Sequence, residues 1–158
     1  MRPVLVFFHL LGAFVLVAGV SLAWVAFEVA RHRTEPAAIA SLLALARIGA
    51  AMVAIGLVVA GTFGLALAAT GRFGFGVPWI EAATGLLVAV AVLGALGGQR
   101  PKRARLHAEA LAERREPADD ALHRLLDDPL GRGLNYASVA LMVAVVALMV
   151  FKPGAPGH

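Results

Sequence analysis

The sequence predicts an all-α, polytopic membrane protein: a four-transmembrane-helix bundle with short amphipathic cytoplasmic helices between spans three and four. Three observations carry this. Of 158 residues, 60% are hydrophobic and only 15% charged, with mean hydropathy +0.83, whereas soluble domains run near half apolar and about a quarter charged. Four apolar stretches, about 4–30, 37–69, 78–97 and 134–151, approach or exceed the roughly 20 residues that cross a bilayer. The basic residues between them fall almost entirely on one side. A chain of this length is read as a single membrane domain, residues 1–158.

The first span follows Arg2 and contains Ser21-Leu22-Ala23, which resembles a signal-peptide cleavage site. The apolar run continues through Trp24, Val25, Ala26 and Phe27, beyond the roughly 7–15 residues of a signal peptide's apolar region, so the helix is read as retained. It ends at Arg31-His32-Arg33. Thr34 reads as the N-cap of the second helix, with Pro36 in its first turn. The second helix exceeds the bilayer core, so 41–47 is expected to project and 48–68 to be buried. Within it, Gly56, Ala60, Gly64 and Ala68 recur every four residues, a spacing of small residues that lets a partner helix approach closely. Residues 70–76 are Gly-rich but lack a phosphate-loop pattern, and read as a turn with interfacial aromatics.

Pro78 and Trp79 open the third span. Asn135 and Tyr136 start the fourth, and Lys152-Pro153 stop it. Between them, loop 98–133 holds Arg100, Lys102, Arg103, Arg105, Arg114, Arg115, Arg124 and Arg132 against seven acids. Leu106, Ala110 and Leu111 form one apolar stripe. Leu122, Leu125 and Leu126 form another, opened by 117–120. Both read as short helices lying on the lipid surface, with docking to a partner as the second reading.

The loop after span one and the long loop together carry ten Lys/Arg, or eleven with Arg47. The other side has Arg2, Arg72 and Lys152. The positive-inside rule then puts the long loop in the cytoplasm and both termini outside. The pI near 10.7 is assigned to these topogenic residues and to anionic headgroups rather than to nucleic acid. The absence of cysteine excludes disulfides, thiolate metal sites and iron–sulfur clusters.

Ionisable groups inside a span are candidate functional residues. His9 is the only histidine within a span, and Gly12 and Ala13 lie one turn inward on its face. Small residues there leave room beside the imidazole for a flat cofactor or another backbone. Antiparallel threading brings Glu81 and Met149 to comparable depth. His9, Glu81 and Met149 form a candidate metal set for copper, and His9 with Met149 a candidate ligand pair for haem b. A structural hydrogen bond between His9 and Glu81, relieving two polar groups in lipid, is the first reading of these residues, ahead of the ligand sets, and a proton relay is the third. Glu28, three residues before Arg31, is read as one partner of an interfacial ion pair. No Ser/His/Asp arrangement, His-Glu-x-x-His or dinucleotide-binding pattern occurs, so the sequence leans away from an enzyme.

Phe8-His9-Leu10-Leu11-Gly12-Ala13, Val17-Ala18-Gly19 and the Arg31-His32-Arg33 end resemble the first helix of a bacterial family of predicted integral membrane proteins of unknown function. That family is distantly similar to the copper-resistance D proteins and to the membrane protoporphyrinogen oxidases, four-helix proteins with a first-helix histidine implicated in haem binding. From the resemblance only His9 carries over. It implies a multi-pass protein of the bacterial inner membrane with a haem- or metal-linked role at His9. The alternative is a structural or accessory subunit, or a homo-oligomer, contacting a partner through Gly12, Gly56, Ala60, Gly64 and Ala68.

Overall fold

The structure, a computed structural model, describes residues 1–70, 78–97 and 99–151. Among these the chain is all-helical: α1 (Arg2–Arg31), α2 (Pro36–Thr70), α3 (Pro78–Gly97), α4 (Gln99–Arg114), α5 (Asp120–Leu126) and α6 (Pro129–Phe151). The turn read at 70–76 and the stop at Lys152-Pro153 lie outside the described residues, except for Thr70, which ends α2. Among the described residues, three segments are long and apolar enough to cross a membrane: α1, α2 and the α5–α6 stretch Asp120–Phe151. The apolar part of α3, Pro78–Gly94, is shorter. Its 17 residues rise about 26 Å at 1.5 Å each, just under the roughly 30 Å hydrocarbon core.

Length and caps follow local chemistry. Pro36 opens α2 directly after Glu35, whose carbonyl accepts from the Ile39 N–H at 3.0 Å. The helix therefore starts on Glu35 rather than on a Thr34 cap. Pro129 opens α6 five residues before the apolar run begins, since proline's fixed φ suits a first helical turn. α4 ends on Arg115 at φ 57°, with Arg115 N bonded to Ala112 O and Glu116 N to Leu111 O. That pair of bonds is the Schellman pattern, here built on arginine where glycine is usual.

α1 and α2 form the tightest pair. On α1 the residues 12, 16, 19, 26 and 30 are buried, while 4, 7, 11, 14, 18, 21 and 25 are exposed. Each set follows the seven-residue rhythm of a helix with one packed and one lipid-ready face. The approach is so close that a Cβ on Gly12 would stand 2.4 Å from the Ala60 nitrogen. One on Gly19 would stand 2.7 Å from the Gly49 oxygen, and one on Gly56 2.4 Å from the Leu16 nitrogen. Backbones this near require the absence of side chains. The small-residue ladder of α2 is thus used inside the chain. Gly56, Ala60 and Ala68 are buried, and at least Gly56 and Ala60 are spent on α1, so they do not present a free face to another subunit.

The deepest core lies at the end of the bundle where α1 turns into α2. Phe27, Ala30, Ile39, Ala40 and Leu43 meet Ala104, Ala108 and Leu111 of α4 and Leu122 and Leu126 of α5. Leu111, Leu122 and Leu126 of the long loop's apolar stripes, read as lipid-facing, are buried against protein here. The stripe of α4 that packs is Ala104–Ala108–Leu111, one turn apart at each step, and it faces protein. Leu106, read as part of the stripe, is 49% exposed. Small alanines let α4 lie flat on the α1–α2 corner, where leucines would hold it off. Arg31 fastens the same corner. Its guanidinium meets Glu28 at 3.1 Å and Asp127 at 2.9 Å, with its side chain only 8% exposed. The Glu28–Arg31 pair expected from spacing is present, and Asp127 adds a link to the end of α5.

Asp119 caps α5, accepting from the Leu122 N–H at 2.8 Å, and its oxygens take the His107 Nε2–H at 2.9 and 3.0 Å. These bonds, the Leu122 amide first and His107 second, hold the Asp119 carboxyl below the usual carboxylate range. A depressed folded-state pKa gives stability that is present above the ordinary aspartate value and is lost as pH falls through the lowered one. Amide exchange in α5 should therefore accelerate on acidification below that range. Asp119→Ala should speed exchange already at neutral pH and flatten the acid response. An α5 whose protection has the same pH profile with and without Asp119 would show that the cap does not hold the helix.

Candidate functional site

His9 lies a little over two turns into α1, half-buried. Its Nδ1 is 2.8 Å from the Ala60 carbonyl oxygen of α2. A carbonyl only accepts, so Nδ1 carries the proton, and in a neutral imidazole Nε2 keeps the lone pair. The carbonyl has two lone pairs and can serve its own helix as well. Gly64, one turn beyond Ala60, makes the room: a Cβ there would stand 3.0 Å from both Cε1 and Nδ1 of His9. Next to it, Phe8 stacks on Phe63 with centroids 4.9 Å apart and rings 20° from parallel, and Phe7 meets Phe8 edge-on at 5.4 Å. The ring is thus fixed in position and tautomer, with one nitrogen uncommitted. That arrangement, Nδ1–H on a backbone carbonyl and a free Nε2, is the one that orients metal-ligating histidines.

The other candidates stand apart from this contact. Glu81, in the first turn of α3, is exposed and makes no hydrogen bond or ion pair among the described residues. The hydrogen bond of His9 goes to Ala60, not to Glu81. A Cβ on Gly61 would meet Leu87 at 3.3 Å, which sets the register of α3 on α2. Glu81, six residues before Leu87, then falls about 9 Å further along the bundle than the Gly61 level. Met149 is half-buried on α6. α6 meets α1 at Trp24 and Tyr136, with centroids 6.3 Å apart. Counting back 15 residues from Trp24 and forward 13 from Tyr136 puts His9 and Met149 at similar depth, about 23 and 20 Å from that contact. No group of three or more His, Asp or Glu residues suited to a metal ion occurs among the described residues.

Gly12 sits beside this site, its Cα facing the Ala60 nitrogen and the side chain of Val59. One patch of α2 therefore both receives α1 and holds the imidazole. The matching family model spans residues 3–153 and describes a predicted integral membrane protein. The chain belongs to the DUF2269 family. No curated protein and no solved structure matches it. Membership in DUF2269 makes it an integral membrane protein in contact with the lipid bilayer, in keeping with the exposed apolar faces of α1, α2 and α6.

Sequence reasoning found His9 but not what it touches. The partner is a backbone carbonyl, which every residue carries. The available signal was Gly64, four residues after Ala60, which marks the gap the ring fills. The Phe8–Phe63 stack was also missed, since residues 55 positions apart in sequence declare no pairing.

Proposed function

We propose that this DUF2269 protein is a haem-linked component of the bacterial inner membrane, with His9 as the residue that would hold the haem. The observation that carries the reading is the His9–Ala60 bond, which leaves Nε2 as the free base. His9 would hold a haem through Nε2, and Met149, at similar depth, would be the second residue to hold it. When bound, haem provides one-electron redox chemistry. The chain's own part is to hold the imidazole in one tautomer through Ala60, with Gly64 leaving the ring its place and Gly12 letting α1 close on α2. The distant similarity of the family to membrane protoporphyrinogen oxidases, whose first-helix histidine is implicated in haem binding, points to the same residue. A copper site is less well supported, because Glu81 falls further along the bundle. The accessory-subunit reading loses its motive, because much of the ladder is engaged by α1.

In the membrane this reading has four spans, with α3 as the third, packed on α6. Both termini lie outside, and α4 and α5 form a cytoplasmic cap. The support is the ten basic residues on the α4–α5 side against three on the other.

Full-length protein purified from haem-replete cells should be red, with a Soret band. His9→Ala should remove the band while the helical circular dichroism is kept, and imidazole added to the variant should restore part of it. A wild-type protein that shows no Soret band even after hemin addition, or a His9→Ala protein that keeps one, would sink the proposal.

A further inference from the structure

A crevice of about 710 Å³ opens between the helices, with its mouth at Arg47, about 20 Å along α2 from the His9 contact, and its deep end at Val58, two residues from Ala60. It separates the α1–α2 pair from α3 and α6, which pack chiefly on each other. Its size falls in the range of small-molecule sites, roughly 300–1,000 Å³. Val20, Phe27, Val53, Leu57, Val90 and Leu134 supply apolar wall. Its mouth is different. Arg47, Lys102 and Arg105 line it, with Asp128 as the one acid among the described residues. Arg105 is paired with Glu109, and Asp128 accepts from the Gly131 N–H at 2.7 Å. Arg47 and Lys102 make no hydrogen bond or ion pair among the described residues.

Unmatched cations over an apolar slot fit an amphiphile with an anionic head. Arg47 stands where α2 passes from the α4–α5 cap into its apolar stretch. Val58, deepest of the α2 residues in the crevice, is eleven residues on, about 16 Å of helix. One leaflet of hydrocarbon is about 15 Å thick, half of a roughly 30 Å core. The slot therefore has the depth of one acyl chain measured from a charged surface.

We infer that this crevice binds one anionic phospholipid, its phosphate at Arg47 and Lys102 and an acyl chain along the wall toward Val58. Basic pockets between membrane helices recognise anionic headgroups in this way, and arginine meets a phosphate with two parallel donors. A free phosphate leaves the apolar wall bare. A zwitterionic lipid brings its own ammonium group against the two cations.

The test uses the full-length protein in detergent, titrated with phosphatidylglycerol or phosphatidylcholine and read by native mass spectrometry. Phosphatidylglycerol should be retained at least fivefold better. Arg47→Gln with Lys102→Gln should bring it down to the phosphatidylcholine level, whereas Arg103→Gln with Arg114→Gln, cations outside the crevice, should leave the preference intact. Ala54→Trp, which fills the apolar wall, should lower retention of both lipids. Equal retention by the unmodified protein, an equal loss in the control pair, or no effect of Ala54→Trp would each overturn the assignment. If the charge variant does not fold, the unmodified protein decides. Phosphatidylglycerol with a photoreactive group at its chain end should label residues 53–58 and 90–94. Labelling concentrated on Phe7 and Phe14, on the outer face of α1, would show that the lipid lies elsewhere. The outcome does not depend on whether His9 binds haem.

Discussion

Gly56→Ala is expected to lower the stability of the protein by about 2–3 kcal/mol, at the upper end of overpacking effects. The added carbon would stand 2.4 Å from the Leu16 nitrogen, 2.7 Å from its Cα and 2.8 Å from the Gly12 oxygen. All three are backbone atoms, so no rotamer change relieves the contact, and α1 must move away from α2. That motion also opens the Gly12–Ala60 approach and stretches the His9–Ala60 bond, so any pigment held by His9 should weaken with it. Gly85→Ala is the matched control: nothing lies within 4 Å of a Cβ there, and alanine is the better helix former by up to about 1 kcal/mol. Reversible unfolding of the two variants in mixed micelles, followed by circular dichroism, gives the comparison. Equal midpoints would mean that the close crossing of α1 and α2 does not hold the bundle.

Leu122→Ala comes next, with an expected loss of about 2–5 kcal/mol. Leu122 is fully buried, in a core shared by four helices. Removing its side chain leaves a cavity between α5 and the α1–α2 corner and should free α4 and α5 together, which amide exchange would register. Leu106→Ala, on the exposed face of α4, should change stability by less than about 0.5 kcal/mol. The contrast separates internal packing from lipid contact. Were α4 and α5 lying on the bilayer surface, both leucines would matter for membrane binding and neither for unfolding in micelles. Indistinguishable stabilities would therefore restore the surface arrangement.

The parts of this fold that were legible in sequence are those encoded by side-chain pattern. The apolar lengths marked α1, α2 and α6, and the spacing of Gly56, Ala60, Gly64 and Ala68 marked a close helix contact. The partner was not legible, because small residues announce proximity without saying to what; it proved to be α1. Loop 98–133 shows the same limit. Its apolar stripes announced two helices, but an apolar face fits lipid and protein alike, and weighting leucine over alanine selected Leu106 where Ala104 and Ala108 do the packing. Of the candidate site, His9 was visible as an ionisable group in an apolar run. Its tautomer was not, because that depends on a carbonyl brought near by the fold.

The corner core also sets an order of events during synthesis. Phe27, Ile39 and Leu43 are made early, but Leu122 and Leu126, which cover them, follow some 80 residues later. At about 5–20 residues per second that is a delay of roughly 4–16 s. Through this interval the α1–α2 hairpin stands without its α5 cover. A ribosome that stalls before residue 122 leaves that cover unmade. The α1–α2 corner therefore closes only once the α4–α5 segment has been made.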